Sequence, residues 1–169
     1  MAVIVEALRK FAVEWNLLPC PACGTGEGGG ENLFCPECLA KLHFVKGERC
    51  RGCGGVLDGV LGVCTKCVRE EPRPWLLALT VFDYRDEGRD LVRRLKFSDQ
   101  PELARPLAKL AIPLLRECGE KADGMVPVPL HYTRQWKRSY NQSELVAGLV
   151  AGELGIPLVK ALKRVRPTP

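Results

Sequence analysis

Eight cysteines stand in four C-x-x-C pairs, Cys20/Cys23, Cys35/Cys38, Cys50/Cys53 and Cys64/Cys67, separated by eleven, eleven and ten residues. One such turn presents two thiolates to a tetrahedral ion, and two turns complete a four-cysteine site. The set therefore predicts two structural zinc ions. Cys-Pro-Ala-Cys-Gly and Cys-Arg-Gly-Cys-Gly each carry a glycine just after the second ligand, where a zinc-knuckle turn needs one. The other chemically suggestive stretch is 125–147, MVPVPLHYTRQWKRSYNQSELVA. There an apolar run closes on two prolines, a loop with His131, Arg134, Lys137 and Arg138 follows, and Asn141 and Ser143 open an apolar-periodic helix. A strand that passes through a basic loop into a helix N-terminus can hold phosphate with its N–H groups and helix dipole.

Disulfides compete for the same cysteines, but a cytosolic chain keeps its thiols reduced. A thioredoxin-like redox pair would be one C-x-x-C beside a βαβ pattern, not four in series. Sequential pairing, first with second and third with fourth, closes only local loops and costs less chain entropy. A crossed pairing stays open. With all eight thiolates engaged both sites are closed, which makes the zinc structural rather than catalytic. The glycine-rich stretch 24–30 leaves the module little core, so metal must supply much of its folding energy. His43 reads as a surface or packing residue, and Cys118 as a small apolar residue on a helix.

Periodicity and chain breakers give the elements that must position these groups. Ile4, Leu8, Phe11 and Trp15 predict an amphipathic helix over 1–18, ahead of a double zinc ribbon over 19–69. The charged, proline-rich segment 70–75 reads as a linker. Beyond it, 76–84 reads as a strand and about 89–97 as a helix with Leu91, Val92 and Leu95 on its apolar side. A helix over about 101–116 carries Leu103, Leu107, Leu110 and Leu114, with Pro106 and Pro113 as possible kinks. Residues 123–129 read as a strand, 141–152 as a helix with Leu145, Leu149 and Val150 inward, and 158–162 as a further strand. This alternation predicts an α/β fold with a parallel sheet over 76–169, of which the first part is present.

A hydrophobic content of 46% excludes a disordered chain. No apolar run approaches the ~20 residues of a membrane span. Glu6, Arg9, Lys10 and Glu14 interrupt any signal-peptide core, so a cytoplasmic location is expected. Residues 1–131 carry 18 basic and 18 acidic side chains, whereas 132–169 carry seven and two. All the excess positive charge lies in and after the basic loop, which points to an anionic partner there.

The four C-x-x-C pairs, Leu95-Lys96-Phe97, Val126-Pro127-Val128-Pro129-Leu130, Arg138-Ser139-Tyr140-Asn141-Gln142-Ser143 and Arg164-Val165-Arg166-Pro167-Thr168, in that order, resemble the ComF family of bacterial natural competence. The resemblance implies a double zinc ribbon followed by a type I phosphoribosyltransferase-like (Rossmann-like) domain. Its ligand would be phosphoribosyl pyrophosphate held with magnesium. It makes the loop after Pro129 the pyrophosphate loop, with Arg134 and Arg138 on phosphate oxygens and Ser139, Tyr140, Asn141, Gln142 and Ser143 around the group. The family has Arg-Gly where this chain has Arg138-Ser139, and serine restricts the positive φ that glycine permits. The family also continues into an Asp-Asp…Thr-Thr-Gly-type motif that these 169 residues do not contain. The reading therefore expects a C-terminally truncated fold without transferase turnover, and it names no catalytic base.

Three functions follow as alternatives. One is a phosphoribosyltransferase-family protein of DNA uptake. The second is a non-catalytic zinc-ribbon protein that binds single-stranded nucleic acid, with Trp136 or Tyr140 able to stack on bases. The third is an adaptor for other competence proteins.

Overall fold

The computed structural model of the chain describes residues 19–25, 34–58, 62–70, 73–117, 122–133 and 138–166. The expected helix over 1–18, Cys118, and Arg134, Trp136 and Lys137 of the basic loop lie outside the described residues.

Two short helices, α1 (Pro36–Ala40) and α2 (Thr65–Val68), each begin directly after a cysteine. Cys35 and Cys64 hold extended cap conformations, at φ −66°, ψ 158° and φ −73°, ψ 162°. Pro36 suits the first helical position, where its missing N–H has no helical partner to lose. Asp58 fixes the start of α2 by accepting from the Thr65 amide and hydroxyl, both at 3.0 Å.

The longer helices follow. Helix α3 (Asp86–Phe97) starts three residues earlier than its apolar pattern suggests. Asp86 and Glu87 in its first turn and Arg94 and Lys96 in its last complement the helix dipole. Gly88 permits this start, because a Cβ there would meet the Phe82 ring at 2.7 Å. A 3-10 turn, Pro101–Leu103, leads into α4 (Ala104–Glu117). Pro106 lies in the first turn of α4, where N–H groups lack partners anyway, so the expected break does not occur. Helix α5 (Gln142–Leu154) is capped by Asn141 and closes on Gly155 at φ 68°.

The first cysteine cluster and the helical part share one core. Cys20, Phe34, Cys35, Cys38 and Leu42 pack with Leu91, Leu95, Leu103, Ala104 and Leu107. A second cluster, Ala108, Ile112 and Val150, joins α4 to α5. On α5 the inward residues are Ala147, Val150 and Ala151, while Leu149, expected inward, is 39% exposed. Leu149 falls outside the face that Val150 presents to Ala108 and Ile112 of α4.

The strands depart most from expectation. Among the described residues no continuous sheet forms, and the expected strands make isolated bridges instead. Segment 76–84 pairs antiparallel with the zinc module through Phe44 and Phe82, with Val45 N–H to Val81 O at 3.2 Å and Asp83 N–H to His43 O at 2.9 Å. Its strand-like composition thus serves the ribbon side. The expected parallel partners meet at one bridge, Met125 with Leu158. There Met125 donates to Pro157 O and Val159 donates to Met125 O, both at 2.8 Å. Farther along, Val128 O is taken by the Asn141 side chain at 3.1 Å rather than by a neighbouring strand.

Candidate functional site

Cys20, Cys23, Cys35 and Cys38 converge so that their sulphurs lie within 4.8 Å of one another, and so do those of Cys50, Cys53, Cys64 and Cys67. The pairing is the sequential one. Cys23 and Cys35 sulphurs are 3.8 Å apart, and Cys53 and Cys64 sulphurs 3.9 Å. Metal–sulphur bonds of ~2.3 Å in a tetrahedron require a sulphur–sulphur edge of about 3.8 Å. Each cluster therefore fits one tetrahedral ion.

The two centres share a backbone plan. Gly24 donates to Cys20 O and Gly54 to Cys50 O, each at 2.7 Å, and both glycines hold φ +75°. Cys20 donates to Thr25 O and Cys50 to Gly55 O, each at 2.9 Å. The Cys35 amide reaches Cys20 Sγ at 3.3 Å and the Cys64 amide reaches Cys50 Sγ at 3.2 Å. Such N–H donors to sulphur favour thiolate and orient it toward a cation.

Their surroundings differ. In the first turn, the carbonyls of Pro21 and Ala22 accept from the Arg94 guanidinium of α3, at 2.7 and 2.6 Å. In the second, Arg51 O accepts from Ala78 N–H at 2.9 Å and Gly52 O from the Trp75 indole at 3.0 Å. Gly54 is pressed against this segment, since a Cβ there would lie 2.8 Å from the Thr80 amide nitrogen.

The cysteine thiols are poised unevenly. Hydrogen bonding from Thr25 pulls Cys23 down to about 6, and the Cys64 amide pulls Cys50 down to about 6. Burial pushes Cys38 up, and burial pushes Cys67 up to about 12. His43 stays outside both clusters and meets Asp86 Oδ2 at 3.0 Å on the surface.

Of the connection expected as a loop between Pro129 and α5, residues 132, 133 and 138 are helical, and its end at 140–142 is pinned by side chains that the sequence assigned to phosphate. Tyr140 donates its hydroxyl to Leu95 O at 2.7 Å, and Gln142 donates to Lys96 O at 3.4 Å. Both accepting carbonyls belong to the last turn of α3, which has no helical donors for them. Burial, aided by Asp99 and Glu102, pushes the Tyr140 hydroxyl up, which keeps it a donor. Asn141 bridges in two directions, donating to Val128 O and accepting from Ser143 N–H, each at 3.1 Å. His131 is buried and meets the Thr133 hydroxyl at 2.8 Å. Arg138 lies over the Phe97 ring at 4.6 Å. A groove of about 940 Å³ runs between α4 and α5, but none of the described residues of 130–143 lines it.

Ser139 takes φ 60°, the left-handed conformation that a glycine would adopt freely. A non-glycine residue there costs roughly 1–2 kcal/mol, partly offset by the lower entropy of its unfolded chain. Ser139→Gly is expected to stabilise the fold by about 0.5–1 kcal/mol, read as a higher urea midpoint at unchanged slope. A lower midpoint would show that the serine hydroxyl contributes more than the strain costs.

Arg94 is the residue that sequence reasoning missed. Its signal was available: it follows Leu91 by three positions and so falls on the buried side of an amphipathic helix, where a guanidinium needs acceptors.

Comparison with known proteins places the chain. It belongs to the competence protein F (ComF) family: it is 30% identical over 156 residues to competence protein F of Haemophilus influenzae, covering 81% of this chain and 68% of that protein. It is 35% identical over 111 residues to the DNA utilization protein YhgH of Salmonella typhimurium, covering 62% of this chain and 48% of that protein. It is also 27% identical over 136 residues to competence protein ComFC of Bacillus subtilis, covering 77% and 56% respectively. The chain thus spans about half to two thirds of these relatives' lengths. No family model and no solved structure matches it. No helix among the described residues is long and apolar enough to cross a membrane.

Proposed function

We propose that this chain serves DNA utilization in competence, as a zinc-stapled protein whose 130–143 loop binds phosphoribosyl pyrophosphate or another phosphate group with magnesium. The cysteine clusters hold structural zinc in this reading, and residues 76–169 form part of a type I phosphoribosyltransferase-like domain. The names of the relatives support the setting. The observation that carries the site is the pinned loop itself. The side chains of Tyr140, Asn141 and Gln142 are spent on the carbonyls of Leu95, Val128 and Lys96, so the turn into α5 is fixed before any ligand arrives. Those three residues build the loop, while Arg138, Ser139 and Ser143, with Arg134, contact the anion. Phosphoribosyl pyrophosphate, when bound, supplies a ribose carbon from which pyrophosphate can leave. The loop orients that leaving group and stabilises its charge.

Calorimetric titration with phosphoribosyl pyrophosphate tests this. Binding should be saturable and magnesium-dependent, and Arg138→Ala should weaken it at least about tenfold, the worth of one charge-assisted contact. Absence of binding, together with single-strand DNA affinity that falls steeply with salt, would instead establish the nucleic-acid reading. The half-exposed Trp75 beside Arg73 on the second knuckle favours that alternative. If neither ligand binds, the adaptor role is the one left.

A further inference from the structure

The two metal centres share a backbone plan but not their attachments, and the difference has a direction. The carbonyls between the ligands of the second centre are held by segment 73–80, through Trp75 and Ala78. Those of the first centre are held by Arg94, whose Nε also donates to Gln100 Oε1 at 2.7 Å. Each of the three nitrogens of this side chain therefore donates a bond, and the guanidinium fixes the last turn of α3 against the first knuckle. The residues that follow it in that turn anchor the loop. Leu95 O receives Tyr140, Lys96 O receives Gln142, and the Phe97 ring lies under Arg138. Cys20, Cys35 and Cys38 also pack in the same core as Leu95, with Tyr140 and Leu145 against it. None of the second cluster's cysteines belongs to that core.

We propose that Arg94 is a positioning residue that ties the 138–143 loop to the first metal centre, so that occupancy of this centre, and not of the second, sets the order of the loop. As a device for anion binding this rests on the phosphate reading above; the mechanical coupling does not. An ion at the first centre fixes the Cys20–Cys23 turn, whose two carbonyls hold the guanidinium. The guanidinium in turn holds the carbonyls that Tyr140 and Gln142 use. Loss of that ion frees the turn and slackens the loop, although no loop residue touches metal.

Hydrogen exchange on the zinc-loaded protein, resolved by residue, tests the coupling without any ligand. Arg94→Gln should keep both ions by metal analysis and speed exchange of the 140–146 amides at least about tenfold. Protection at Gly54 and Ala78, beside the second centre, should stay within twofold. Cys23→Ser should lose one ion and loosen the same loop amides, whereas Cys53→Ser should lose one ion and leave them protected. Uniform acceleration everywhere in Arg94→Gln would reduce the residue to a general stabiliser and overturn the proposal. So would unchanged loop exchange, or equal loop effects of the two cysteine variants. Should Cys23→Ser fail to fold, Arg94→Gln alone decides. Missing phosphoribosyl pyrophosphate binding with the exchange pattern intact would refute only the ligand assignment.

Discussion

Stripping both metal ions is expected to abolish the fold of residues 19–70 and to destabilise α3 with it. A structural zinc ion contributes roughly 10–16 kcal/mol of apparent binding free energy, as much as the ~5–15 kcal/mol by which whole domains are stable. Among the described residues the second knuckle buries little apolar surface besides its ligands, Cys50 and Cys64, since Val56 and Val68 are exposed, so the contacts of segment 73–80 would have to hold it alone. The first knuckle fails differently, because Cys20, Cys35 and Cys38 are themselves part of the core that contains Leu91 and Leu95. Acid should act as a chelator does. Metal binds thiolate, and the Cys38 and Cys67 thiols, pushed above the ordinary range by burial, are protonated at neutral pH. Each ion must therefore displace at least one proton at its site, and affinity should fall at least about tenfold per pH unit as pH is lowered. Metal analysis should find about two ions per chain, and circular dichroism with hydrogen exchange should show the collapse on chelation. Retained protection at Leu39 and Val68 after complete metal removal would contradict the expectation.

Leu91→Ala is expected to cost about 3–4 kcal/mol, against about 0.5 kcal/mol or less for Leu149→Ala. Both leucines look equivalent on helical wheels. Leu91 has no exposed surface and lies in the core that α3 shares with Phe34 and the cysteines of the first cluster, so its removal leaves a void in a core that metal binding holds in place. Leu149 is 39% exposed and loses little on truncation. Urea titrations of the two variants compare the sites directly, and equal midpoints would mean that the core had been misplaced.

The cysteine centres were readable because their information is local. Four C-x-x-C turns at near-constant intervals leave few ways to close two sites, and the local pairing is the one formed. The opening of α5 at Asn141 was readable for the same reason, since a cap is settled within one helical turn. The sheet was not. Strand composition in 76–84 and 158–162 says that a segment will be extended but not which edge it will meet. The first meets the zinc module, and the second touches its expected partner at one residue pair. The loop was half readable. Its position between Pro129 and α5 was clear, but the bonds that Tyr140, Asn141 and Gln142 make to carbonyls 13 to 46 positions away were not. Arg94 escaped because its acceptors lie more than seventy positions away in sequence, and no periodicity encodes them.

The shared core also bears on how such a protein can be cut, fused or exchanged. A gene fusion that transferred residues 19–70 alone would move both metal centres but neither of their supports, since Trp75, Ala78 and Arg94 all lie beyond it. It would arrive without Arg94, Leu91 and Leu95, and the first knuckle would present Phe34 and Leu42 to water. What looks in sequence like a portable metal-binding cassette is, for its first half, an inseparable wall of its neighbour. Recombination would have to carry the chain through α4 to keep that wall whole.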